Sequence, residues 1–176
     1  EGAGSLGGHS RRVGRKNLRT SVTGLSQDGI GVGGIAKIGS GTVTLTGASN
    51  DTGGTTVTSG ARLVSSASGA GSGTGAVTMN GGTLGGSGII SGAVTVATGA
   101  FLAPAVGTNK QVTLTLQNSL TLQGGATYTY TFKARRNQAR TDLAVANGVT
   151  SNDATIALQG KVQGPLRATL VLTVIR

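Results

Sequence analysis

Along most of the chain, apolar and small polar residues alternate one for one. In GTVTLTG (41–47), Val43 and Leu45 fall on one side of an extended backbone, and Thr42, Thr44 and Thr46 on the other, because successive strand side chains point to opposite faces. The alternation returns with Val57 and Leu63 in TTVTSGARLV (55–64), with Val77, Met79 and Leu84 in AVTMNGGTL (76–84), and with Val94, Val96 and Leu102 in AVTVATGAFL (93–102). It continues with Leu120, Leu122, Tyr128, Tyr130 and Phe132 in SLTLQGGATYTYTF (119–132), then with Leu143, Val145, Ile156 and Leu158 in 142–160. ATLVLTVI (168–175) is a denser apolar run that reads as a covered strand or part of a cap.

These segments predict an all-β chain. No amphipathic helix pattern of 10–15 residues separates them, which argues against a doubly wound α/β fold. The apolar starts Val43, Val57, Val77, Val94 and Leu120 lie 14, 20, 17 and 26 residues apart, a spacing that suits a repeat architecture. Two arrangements fit: a parallel β-helix of about six coils stacked roughly 4.8 Å apart, or an antiparallel sandwich or barrel whose Gly-Gly and Asn-Gly pairs are hairpin turns. The β-helix is favoured, because a sandwich core calls for larger side chains. In that reading Gly53, Gly54 and Gly60 turn corners, Val57 and Leu63 face inward, and Thr56 and Thr58 belong to an outer ladder.

Composition agrees with many thin layers. There are 33 glycines among 176 residues, aromatic residues make up 2%, and Trp and Cys are absent, so buried area must come from Val, Leu, Ile, Ala and Thr. No run of 18 apolar residues predicts a transmembrane helix. The net charge of +10 is concentrated at the ends. Residues 1–28 read as a flexible, basic, Gly-rich arm and 29–176 as the repeat domain with C-terminal capping strands.

The stretch KIGSGTVTLTGASNDTGGTTVTSGARLV (37–64), followed by GSGTGAVTMNGGTLGGSGIISGAVTV (71–96), resembles the autotransporter-associated β-strand repeat. The matching positions are Lys37, Gly39, Gly41, Thr42, Leu45, Gly47, Thr52, Gly53, Gly54, Thr55, Thr56, Val57, Gly60 and Leu63. The chain departs from the pattern at Asp51, where an aromatic is frequent, and at Ala105 in LAPA, where the family often has glycine. The resemblance implies a right-handed, passenger-type parallel β-helix, exported across a bacterial outer membrane to the cell surface or beyond. It implies an aid to secretion and a spacer, with further β-helix coils or a transporter barrel of a longer parent chain as partners.

Candidate chemistry is sparse. His9 is the only histidine, and the carboxylates Glu1, Asp28, Asp51, Asp142 and Asp153 are scattered, whereas hydrolysis or metal binding needs them clustered. Asp51 and Asp142 read as turn residues. The Gly-rich 69–75 segment lacks the Lys-Ser/Thr ending of a phosphate loop. No catalytic residue, cofactor or metal is expected. The basic arm RRVGRKNLR (11–19) has no interleaved aromatics, so no specific nucleic acid is expected. A rival reading is a surface adhesin or glycan-binding module, in which Tyr128, Tyr130, Arg135 and Arg136 contact a glycan or anionic polymer. Against it, the aromatics of TYTYTF also suit an interior layer.

Overall fold

The computed structural model describes residues 11–13, 19–22, 33–66, 71–106, 111–135 and 138–163. All regular structure among them is β. In chain order the strands are β1 (Arg11–Val13), β2 (Arg19–Val22), β3 (Ile35–Lys37), β4 (Thr42–Leu45), β5 (Thr55–Val57) and β6 (Ala61–Val64). Next come β7 (Val77–Met79), β8 (Thr83–Gly86), β9 (Ile89–Ile90), β10 (Val94–Val96), β11 (Phe101–Leu102) and β12 (Thr113–Leu116). The last are β13 (Leu120–Leu122), β14 (Thr127–Arg135), β15 (Gln138–Thr141), β16 (Leu143–Ala146), β17 (Val149–Ser151) and β18 (Thr155–Gln163).

They form three sheets. The seven-stranded sheet runs β1-β3-β5-β7-β10-β13-β17, the eight-stranded sheet β15-β14-β11-β8-β6-β4-β2 with β18 on β14, and the three-stranded sheet β16-β12-β9. Every pairing is parallel except β14 with β15. Apart from the antiparallel pair β14–β15, neighbours within a sheet are not neighbours in the chain, which visits the sheets in turn. Two segments of the expected arm over 1–28 are described, and both are strands: β1 pairs with β3 and β2 with β4. Neither shows strand periodicity in sequence.

The register stacks like on like. One inward row of the seven-stranded sheet runs Ile35, Thr55, Val77, Val94, Leu120, Val149, and the next runs Lys37, Val57, Met79, Val96, Leu122, ending on the exposed Ser151. In the eight-stranded sheet the row is Val43, Arg62, Leu84, Leu102, then the partly buried Tyr128, and it ends on Ile156, which is exposed. Leu114 and Leu116 of β12 complete the apolar core from the third sheet. Each fully buried Val or Leu contributes about 1.5–3 kcal/mol.

Two inward assignments from the sequence are corrected. Leu63 is only half-buried, while Arg62 and Val64 of the same strand are 1% and 0% exposed. The register explains it: Val64 lies opposite Leu45 and Arg62 opposite Val43, both inward positions, so Leu63 must face away beside Thr44. In β16, Leu143 and Val145 are exposed, while Ala144 and Ala146, opposite Leu114 and Leu116, pack on the core. Small alanines thus fill the narrow last layer. In the LAPA turn, Ala105 does not take a positive φ. The turn closes instead by Val106 N–H donating to the Ala103 carbonyl at 3.0 Å, with Pro104 supplying a fixed φ.

Candidate functional site

Four polar positions of 37–64, Lys37, Asp51, Thr55 and Arg62, are buried in the interior. Lys37 is 1% exposed. Its Nζ donates to the carbonyls of Gly39 at 2.6 Å, Ser59 at 3.0 Å and Ile38 at 3.1 Å. Three acceptors match the three donors of an ammonium. The bonds tie the corner after β3 to the corner after β5. Burial pushes the Lys37 pKa below its ordinary value. Gly60 sits in the same corner at φ 73°, where a Cβ would strike the Gly41 carbonyl oxygen and lie 2.6 Å from Lys37 Nζ. A side chain there would be both strained and crowded.

Deeper in, Arg62 and Asp51 are 1% and 0% exposed. Desolvation lowers the Arg62 pKa to about 10, and the Asp51 carboxylate holds it up. None of the three guanidinium nitrogens has a hydrogen-bond partner, nor do the buried hydroxyls of Thr55 and Ser72. A charge so placed depends on its counter-charge. Asp51 reads as a loop residue in the sequence, and it is indeed in a loop, but a fully enclosed one. The signal that could have found it is a lone carboxylate and a lone guanidinium, Asp51 and Arg62, in the otherwise uncharged stretch 38–109.

On the outside, a groove of about 360 Å³ is lined by Phe101, Thr129, Thr131, Lys133, Asp142 and Gln159 among others. Phe101 is 43% exposed. It pairs with Thr83 and Thr127, on the face opposite to Leu102 and Tyr128. Asp142 precedes β16 and accepts the Val112 N–H on Oδ1 at 2.8 Å.

The proposed ligand-contact residues do not converge on this groove. Tyr128 packs against the core, and its hydroxyl accepts the Ala144 N–H at 3.2 Å. Its pKa is raised, chiefly by burial; the Ala144 bond works against that, and Tyr130 and Asp142 add to it. Tyr130 meets Tyr128 edge-to-face at 6.4 Å between ring centres, and Phe132 lays its ring over Gly160. Arg135 ends β14, opposite Gln138 and Gln163; Arg136 lies outside the described residues, as do His9, Glu1 and Asp28. Phe101 is the site residue that sequence reasoning missed: the alternation marked Leu102 as inward, which leaves Phe101 outward.

Among the described residues, no group of three His, Cys, Asp or Glu side chains could hold a metal ion, and no helix is long and apolar enough to cross a membrane. No protein-family model matches the chain, and neither a curated protein nor a solved structure matches it.

Proposed function

We propose that the chain is a non-enzymatic structural module: a right-handed parallel β-helix of about six coils, of the kind found in passenger regions, working as a spacer at or beyond a bacterial outer membrane and aiding the folding and export of the chain that carries it. One observation carries the reading. Except for the antiparallel pair β14–β15, strands that follow one another in the chain lie in different sheets, while strands adjacent in a sheet are parallel and in register. A chain wound into coils has this order, and the hand follows from the strong preference of parallel crossovers. Each coil can then add to the last through nearest-neighbour contacts alone. Such a module could draw the chain outward as it folds, with no chemistry of its own.

The test is an export assay. The chain is placed between a reporter and an outer-membrane barrel in a bacterial host, and protease-accessible reporter is measured. The module should raise surface display above that of a scrambled segment of equal length and composition. Equal display from the two would overturn the export role.

A further inference from the structure

We propose that the groove beside Phe101, on the outer face of the eight-stranded sheet, binds a neutral oligosaccharide. The inference goes beyond the export reading and does not depend on it: a spacer needs no such groove.

The groove crosses four strands. Phe101 of β11 stands between Thr83 of β8 and Thr127 of β14 in the register. Thr129 and Thr131 share that outer side of β14, because alternate strand residues face the same way, and Gln159 of β18 lies opposite Thr131. Thr83, Phe101, Thr129, Thr131 and Gln159 all line the space of about 360 Å³, a volume ordinary for small-ligand clefts. Strand-to-strand steps of about 4.8 Å make it roughly 14 Å across, room for a short chain of sugar rings.

The lining is amphipathic in the way a sugar is. The Phe101 ring, 43% exposed, offers an apolar plane to the C–H face of a sugar ring. The threonine hydroxyls and the Gln159 amide supply donors and acceptors beside it. Asp142 adds an acceptor held in place. It is 6% exposed, its N–H donates to the Thr131 carbonyl at 3.0 Å, and its Oδ1 accepts the Val112 N–H at 2.8 Å. A carboxylate has acceptor sites beyond one such bond, and hydrogen bonds from sugar hydroxyls to it are charge-assisted.

The same residues select against other ligands. Among the described lining residues, Asp142 is the one carboxylate and Lys133 the one cation, and Lys133 has a partner within the fold. An acidic ligand would therefore meet the Asp142 charge without a free cation to offset it. A nucleic-acid strand is disfavoured on that ground, and a single ring gives no succession of platforms for bases. An extended peptide gains affinity by adding to a sheet edge. Here β18 covers one edge of β14 from Thr127 to Arg135, and β11 and β15 take the other except at 129–131, where the Asp142 N–H holds the Thr131 carbonyl.

The experiment titrates the full chain, followed by NMR, with maltohexaose, cellohexaose and mannohexaose, at about 150 mM and about 500 mM salt. A heparin-derived hexasaccharide and an uncharged octapeptide of alternating Thr and Val are the comparators. At least one neutral hexasaccharide should bind, with an affinity that changes less than about twofold between the two salts, because screening acts on charges. Phe101→Ala, and separately Asp142→Asn, which keeps an acceptor for the Val112 N–H, should each weaken it about tenfold or more. Thr56→Ala, exposed on the seven-stranded sheet, should leave it unchanged. As a measurement that needs no variant, the sugar C–H protons should show nuclear Overhauser effects to the Phe101 ring of the native chain. The proposal is overturned by no binding of the three neutral hexasaccharides, by binding lost at the higher salt, by affinity indifferent to both Phe101→Ala and Asp142→Asn, by bound sugar that shows no contact with the Phe101 ring, or by tighter binding of the heparin fragment or the peptide at that ring.

Discussion

Two halves of one interior differ in that one encloses polar and charged side chains beside its apolar ones and the other does not. Between residues 33 and 75, the side chains of Lys37, Asp51, Thr55, Arg62, Ser66 and Ser72 are buried. Between 77 and 126 the described interior is Val, Leu, Ile, Met and Ala, with no buried polar side chain among the described residues. The strands look alike in both halves, since Thr-Val alternation and glycine corners run throughout. Local pattern therefore sets the strands, but it does not set what they enclose. The apolar half is held by non-directional burial, which tolerates exchange of one hydrophobic residue for another of similar size. The polar half depends on a few particular interactions, the Lys37 bonds to three carbonyls and the attraction between Asp51 and Arg62, and one member of such a set is costly to remove alone.

The sharpest way to break this contrast is to remove one charge of the buried pair. Asp51→Ala should lower the unfolding free energy by about 3–5 kcal/mol, because Arg62 would keep its charge in an enclosed site. Urea unfolding followed by circular dichroism checks it. Removing both charges together, Asp51→Val with Arg62→Met, should cost far less than Asp51→Ala, since replacing a buried pair by matched apolar groups is often near neutral. A double variant as damaged as the single one would show that the polar half does not depend on the pair. In the apolar half, Leu116→Ala should cost about 2–5 kcal/mol through lost transfer energy and a residual cavity, while Leu116→Met should cost less than about 1.5 kcal/mol. That tolerance of a conservative exchange is what the Asp51 site should lack.

A smaller effect is expected at the corner clamp. Lys37→Met keeps the stem but removes the bonds to Ile38, Gly39 and Ser59. The carbonyls lie near the surface and water can replace part of what is lost, so the cost should be about 1–3 kcal/mol. Amide hydrogen exchange should localise it: faster exchange at 58–61, where the Thr58 and Ala61 N–H groups bond to the previous corner, with β10 and β13 unaffected. Uniform acceleration along the chain would mean that the clamp supports the whole fold rather than one corner.

The comparison also explains what was legible in the sequence. Where apolar residues alternate with Thr and the inward residue is apolar, as at Val43, Val57, Val77 and Val94, the inward face follows directly from the pattern. It failed at β6 because hydrophobicity placed Leu63 inside and Arg62 outside. A slip of one residue inverts every side chain, and only the opposition of Val64 to Leu45 decides between the two faces. It failed at β16 because Leu143 and Val145 outweigh two alanines in any count of apolar residues, though the alanines fit the layer. The groove was illegible for a different reason. Phe101, Lys133 and Asp142 are far apart in the chain, and parallel stacking with the β14–β15 reversal brings them together.

The buried pair should also leave a trace in the pH dependence of stability, the smallest effect expected. Burial lowers the Arg62 pKa to about 10 from its ordinary, higher value, so above pH 10 and below that ordinary value the unfolded chain binds more proton than the folded one. Stability linked to this group must then rise with pH across that window. Tyr128 acts in the opposite direction. Its pKa is raised in the fold, so its contribution is present below pH 10 and is lost as pH climbs through the folded value. The two can be separated by difference. Relative to an Arg62→Met chain, the native protein should gain stability between pH 9.5 and about 11, whereas relative to Tyr128→Phe it should lose stability as pH passes above 10. Urea midpoints at the two pH values, compared across the three chains, give both signs. If the native chain shows no gain over Arg62→Met, the guanidinium is better hydrated than its enclosure implies, and the contrast between the polar and apolar halves narrows to one of composition.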